Sequence, residues 1–194
     1  MTRFRQRYKV ESARLSGWDY SAAGWYFVTL CTWQRVCFFG DMVNEKMKLS
    51  AIGEIASRSW EDIPRHFSNV NLDAFVLMPN HLHGIVVIED TRGNVTPRRD
   101  VACNVSTEER PRNASTMMAR ISPRPGSLSV VVRSYKAAVS RFCHLNGDSS
   151  FAWQPRFYDH IIRDEQSLYD IREYIINNPT KWELDRDNLE NLFM

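Results

Sequence analysis

Alternation and helical periodicity divide the chain into a short series of elements. Residues 25–32 (WYFVTLCT) are aromatic and β-branched and predict a strand. Segment 42–49 predicts a short strand or hairpin arm. Residues 50–67 carry Ile52, Ile55, Ala56 and Trp60 at helical spacing behind Ser50, whose hydroxyl suits a helix N-cap. Two strands, 70–78 and 81–88, flank Pro79–Asn80, a turn signal placed for antiparallel pairing. Residues 128–145 predict a helix with Leu128, Val131, Tyr135, Ala138 and Phe142 on one face. A strand at 157–163 and a helix at 165–178, stopped by Pro179, follow. From Trp182 onward the tail is polar, and loose packing is expected of it.

The order is β-(β)-α-β-β-α-β-α. With the strands at 70–78 and 81–88 antiparallel, helices 50–67 and 128–145 should cover one face of the sheet. That predicts an α+β fold: a ferredoxin-like sandwich, an antiparallel sheet with helices on one face. A single domain is expected over residues 1–194, interrupted by a mobile insertion at 90–126. The insertion is rich in Pro, Arg, Thr, Ser and Asn, has no sustained period, and is long for a structured loop.

Composition changes this picture little. Of the 194 residues, 43% are hydrophobic and 25% charged, ordinary for a globular protein, and a net charge of +2 argues for no particular partner. Charge distribution says more. A basic arm carries Arg3, Arg5, Arg7, Lys9 and Arg14 against Glu11 alone, and residues 91–126 hold seven arginines against three acids. Either segment could contact phosphates, or simply be solvated chain. Cys31, Cys37, Cys103 and Cys143 form no C-x-x-C pair and no zinc-like spacing, which fits reduced thiols in a cytoplasmic protein. No apolar run is long enough for a membrane span, and the basic N-terminus lacks the apolar segment of a signal peptide.

Candidate chemistry begins at His81-Leu82-His83. Alternate residues of a strand share a face, so two imidazoles at i and i+2 lie roughly 7 Å apart at Cα, within reach of one divalent ion. Leu82 points the other way, into the apolar side. Taken alone the tripeptide also fits a pair of surface or core histidines. Tyr174 and Asn178 lie one turn apart on the last helix. Alone they read as a boundary tyrosine and a helix C-terminal residue. Together, two histidines and an amide oxygen make a mixed N/O site with open positions, suited to Mg²⁺ or Mn²⁺ near a phosphate. Tyrosine is a poor nucleophile with a pKa of about 10, and a cation polarising the phosphate compensates.

GWYFVTLCTWQR at 24–35, LDAFVLMPNHLHGIVVIE at 72–89, WQPRFYDHIIRDEQSL at 153–168 and IREYIINNPTKWEL at 171–184 resemble the single-tyrosine HUH transposases. Within them the chain looks like the REP-associated tyrosine transposases (the IS200-like transposase family). The resemblance runs over most of the chain, with residues 90–126 where the family varies. It implies that His81 and His83 bind the metal, that Tyr174 is the nucleophile, and that Asn178 is the third ligand, with Asn177 as a rival. His160 and Arg163 fall in the strand before the tyrosine helix, where sheet-edge packing and DNA contact are both open.

The implied reaction is transesterification on single-stranded DNA near short hairpins formed by repeated extragenic palindromes. Tyr174 would keep the 5′-phosphate and free a 3′-OH, and a second 3′-OH could then rejoin strands. Candidates for DNA contact are the basic arm, Arg133, Lys136, Arg141 and Arg163. The protein is expected to act as a monomer or homodimer. Two other readings stand beside this one. A catalytically silent hairpin-binding protein would keep the fold without cleaving. A small metal-dependent phosphoester hydrolase would use water instead of tyrosine. Histidine-triad hydrolases want a third alternating histidine where this chain has Ile85, and amidohydrolase barrels typically need about 250 residues.

Overall fold

The alternating segments pair into a four-stranded sheet whose neighbours are all antiparallel. The computed structural model describes residues 2–4, 8–10, 15, 17–90 and 124–184. In chain order the elements are β1 (Thr2–Phe4), β2 (Tyr8–Val10), β3 (Gly24–Cys31), β4 (Gly40–Val43), β5 (Lys46–Leu49), α1 (Ala51–Glu61), α2 (Ile63–His66), β6 (Val70–Met78), β7 (His81–Ile88), α3 (Leu128–Leu145), β8 (Tyr158–Ile162) and α4 (Glu165–Asn177). A 3-10 turn, Pro179–Leu184, follows α4. The main sheet runs β6-β7-β3-β8, while β1-β2 and β4-β5 are separate hairpins. Taking β3, β6, β7 and β8 as the strands of a β-α-β-β-α-β unit, this is the ferredoxin-like order.

Helices α1 and α3 cover one face, as expected. Their contact buries Trp60 against Tyr135, with ring centroids 5.2 Å apart, over Tyr26, Val28, Leu30, Leu82 and Val86 of the central strands. Gly84 is needed here, because a Cβ at that position would sit 2.5 Å from the Trp60 indole. Helix α4 packs on the opposite face, over the smaller cluster of Phe27, Ile85, Ile162 and Ile175. The helices therefore lie on both faces, and the second one matters for function.

Several expected boundaries shift for identifiable reasons. The helix predicted over 50–67 is two. Ser50 caps the first, its Oγ accepting from Gly53 N at 3.0 Å. Pro64 brings no amide to continue that ladder, so the chain restarts as α2. Trp182 is not loose, since its ring lies 6.0 Å from that of His81. Order is already present at Arg124, whose guanidinium meets Asp19 at 2.6 Å. Within the basic arm, β1 and β2 pair as a short hairpin. The arm's side chains, residues 91–123 and Cys103 lie outside the described residues. Among those described, Cys31, Cys37 and Cys143 are in no disulfide, and no helix is long and apolar enough to cross a membrane.

Candidate active site

Strand β7 is central and paired on both sides, so its alternation separates two chemistries. Leu82 joins the α1/α3 core with no exposure, while His81 and His83 point to the α4 face. Both imidazoles are buried, and their centroids lie 4.5 Å apart. Register sets their neighbours: His83 lies between Val76 of β6 and Thr29 of β3, and His81 between Met78 and Cys31.

Residues the sequence did not single out orient the pair. The Nδ2 of Asn80 donates to Arg35 O at 2.9 Å, which turns its Oδ1 to His81 Nδ1 at 2.8 Å. An amide oxygen only accepts, so His81 carries its proton on Nδ1 and its lone pair on Nε2. The Thr29 hydroxyl meets His83 Nδ1 at 2.9 Å. With that nitrogen protonated, His83 Nε2 also presents a lone pair. Outer partners of this kind fix ring orientation and tautomer at metal sites. The turn carrying them is pinned in turn, with Thr32 N and Oγ1 both donating to Asn80 O at 2.9 and 3.0 Å. A Pro-Asn dipeptide reads as a turn, and its second role needs the fold to be seen.

Helix α4 brings the remaining groups. Asp164 caps it by accepting from Ser167 N, and Ile175 is its one buried residue. Arg172 forks onto Asp73 with two contacts of 2.7 Å, and its guanidinium lies over the Trp25 ring. That hydrogen-bonded pairing holds the Asp73 carboxyl below its ordinary pKa. Asp73 sits where the β6–β7 register shifts between Leu72 and Phe75, an irregularity that re-aims a side chain. So anchored, the helix sets the Tyr174 hydroxyl 3.1 Å from His83 Nε2. Tyr174 is 43% exposed, so a substrate can reach it. Its ring packs edge-on to Phe27 at 6.1 Å, and Phe27 in turn stacks on His83 at 5.5 Å.

The chain that leaves Tyr174 continues past the histidines. Tyr174 contacts His83, Trp182 contacts His81, and Asn178 lies midway between them in sequence. Asn178 is 3% exposed, and its Oδ1 has no hydrogen-bond partner among the described residues. Asn177 is exposed.

No protein-family model matches the chain. An uncharacterized protein of Haemophilus influenzae is 38% identical over 179 residues, which cover 90% of this chain and 91% of that protein. The chain belongs to that protein's family. Among solved structures, a REP-associated tyrosine transposase bound to a REP hairpin aligns with 94% of this chain and 74% of its own, with 19% identity and a TM-score of 0.51. Structural similarity to that transposase thus spans most of the chain, and the α+β architecture with its antiparallel four-stranded sheet is the transposase fold.

Expected DNA-contact residues are scattered about this fold. Arg133 and Arg141 are exposed on α3, across the sheet from the histidines. Lys136 gives its ammonium to the carbonyls of Gln154 and Arg156 at 2.9 and 2.7 Å and lies over Trp153. Burial lowers its pKa to about 8. Arg163 lies over Trp18 at the end of β8. His160 is exposed on β8, on the same face as Tyr174.

For a divalent cation, nitrogen and oxygen donors are chemically suitable. Among the described residues, no three His, Cys, Asp or Glu side chains gather. The available donors are instead two oriented imidazoles and the buried, unsatisfied Asn178 oxygen. A buried acceptor without a partner costs about 1–3 kcal/mol, a cost that a cation ligated there removes.

Proposed function

We propose that this protein is a metal-dependent single-strand DNA endonuclease and strand transferase, with Tyr174 as its nucleophile. The observation that carries this reading is the convergence of the Tyr174 hydroxyl on the buried histidine pair, 3.1 Å from His83 Nε2. His81, His83 and Asn178 would hold Mg²⁺ or Mn²⁺. When bound, the cation supplies Lewis-acid polarisation of the scissile phosphate. The exposed Asn177 is the weaker candidate for the third donor, because its amide is not desolvated.

The chain's own residues do the rest. Asn80 holds His81 in the tautomer that ligation requires, and Thr29 orients the His83 ring and can accept from its Nδ1. Arg172 and Asp73 hold the helix against the sheet, and the helix itself keeps nucleophile and third donor one turn apart. As Tyr174 Oη bonds to phosphorus it gives up its proton. The P–O3′ bond breaks, and the leaving 3′-oxygen is protonated. One phosphoester replaces another, so the 5′-phosphotyrosine keeps the bond energy for attack by a second 3′-OH. The fold neighbour's REP hairpin supports hairpin-bearing single-stranded DNA as substrate. A single domain acting as monomer or homodimer is part of the same reading.

Hairpin-containing single-stranded DNA from the sequence flanking the gene, labelled at its 3′ end, tests it on a denaturing gel with Mn²⁺. Label should migrate with the protein and should not do so with Tyr174→Phe. Cleaved DNA without an adduct would instead indicate a water nucleophile. A gel shift without cleavage would indicate a silent binding protein.

A further inference from the structure

The sheet face that carries His83 and Tyr174 does not end at them. Toward its open edge, β8 pairs with β3 so that Tyr158 lies beside Thr29 and His160 beside Phe27. Strand alternation puts Tyr158 and His160 on the α4 side. Both are exposed, Tyr158 at 51%. Between this edge and the first turns of α4 runs an open groove of about 420 Å³, lined by Phe27, Tyr158, His160, Asp164 and Asp170. Phe27 joins groove and site, since the same ring stacks on His83 and meets Tyr174 edge-on. A group in the groove is therefore one aromatic ring away from the nucleophile.

We propose that this groove receives one unpaired nucleobase of the DNA strand beside the scissile phosphate, stacked on Tyr158 and His160 and held through an exocyclic amino group by Asp164 and Asp170. The proposal rests on the DNA-processing function above and deepens it. Aromatic walls accept any base face, and an edge strand leaves the approach open. Charge then selects what enters. From Asp164 to Asn177 the helix carries Asp164, Glu165, Asp170 and Glu173 against Arg172 alone. Phosphate is repelled from the first turns of that wall, so beside Asp164 and Asp170 the strand must turn its base, and not its backbone, toward α4, while the scissile phosphate lies further along the helix at Tyr174. Asp164 spends one oxygen on Ser167 N, and Asp170 one on Gln166 Nε2 at 2.8 Å. Each carboxylate has a second oxygen, and carboxylates accept from base amino groups such as cytosine N4. The unassigned His160 thereby gains a role, as does the acidic start of a helix that must approach DNA.

Fluorescence anisotropy with labelled dC12 and dU12 tests this, because the two differ at the amino position and not in ring size. The wild-type chain should bind dC12 at least fivefold tighter than dU12. Asp164→Asn combined with Asp170→Asn, which keeps an N-cap oxygen, should bring the two within about twofold. Tyr158→Ala, at an exposed position, should weaken both about tenfold. Equal wild-type affinities, or a Tyr158→Ala chain that binds unchanged, would overturn the groove. Adduct formation on the hairpin substrate, measured in the same preparations, separates the two levels. Adduct with no groove effect sinks the groove alone, whereas neither binding nor adduct sinks the function and the groove with it.

Discussion

The two faces of the sheet are built from the same strands and are held in different ways. On the α1/α3 face, α3 buries six side chains, Leu128, Val131, Val132, Tyr135, Val139 and Cys143, against a continuous apolar layer. On the other face, α4 fully buries Ile175 alone, with Leu168 and Ile171 half-buried beside it, and adds the Arg172–Asp73 fork. Burying each large apolar side chain contributes roughly 1.5–3 kcal/mol, so the first face carries the stability. The second holds hydrogen-bonded imidazoles and the Asn178 amide oxygen, which has no partner among the described residues and costs stability unless something binds it. The difference shows how one fold can separate a scaffold from a chemical surface across a single strand, with Leu82 facing one way and His81 and His83 the other.

Substitutions that touch one face only should break this comparison cleanly. The largest effect is expected from Tyr174→Phe, with covalent adduct reduced at least about a thousandfold in single-turnover assays. Its melting temperature should fall only slightly, because one hydrogen bond, to His83 Nε2, is lost. His81→Ala should weaken Mn²⁺ binding about a hundredfold by calorimetry and reduce cleavage in parallel. An unchanged titration would make the pair structural. Gly84→Ala acts on the other face. It drives a methyl into Trp60 and should cost about 1–3 kcal/mol in denaturant unfolding, with the metal affinity of the folded fraction intact. Asp73→Asn should loosen α4, slowing cleavage about tenfold with little change in Mn²⁺ affinity.

The same fork gives a pH dependence whose sign is fixed. Arg172 lowers the folded-state pKa of Asp73 below its ordinary 3.8. Its stabilisation is therefore fully present above that ordinary value and is lost as pH falls through the lowered one. Acid unfolding followed by circular dichroism should show Asp73→Asn converging on the wild type in that acid range. It should diverge from the wild type at neutral pH.

Much of this architecture was legible in the chain. Strand alternation at 81–88, the Ser50 cap and the periodicity of 128–145 each gave the right element, because each depends on local chemistry. Placing α4 opposite the other helices was not legible, since an amphipathic pattern names a buried face but not the sheet surface it meets. The break at Pro64 follows from proline's missing amide, a local signal that competes with the longer helical period of 50–67. At the candidate site, His81, His83, Tyr174 and Asn178 are motif positions. Asn80, Thr29, Phe27 and Trp182 lie in the same stretches with no chemistry legible in them, because their roles come from register and from the path of the chain after α4. The charge of Lys136 is legible in the chain, but the tie of its ammonium to the Gln154 and Arg156 carbonyls is not.

The central claim is that the Tyr174 oxygen forms the bond to DNA. Incubating the wild-type protein with a hairpin-bearing single strand and Mn²⁺, digesting it, and locating the modified peptide by mass spectrometry measures this directly. The account predicts a 5′-phosphonucleotide mass on the peptide at Tyr174 and nowhere else. Modification at another residue, or cleaved strands with free 5′-phosphates and unmodified Tyr174, would contradict it.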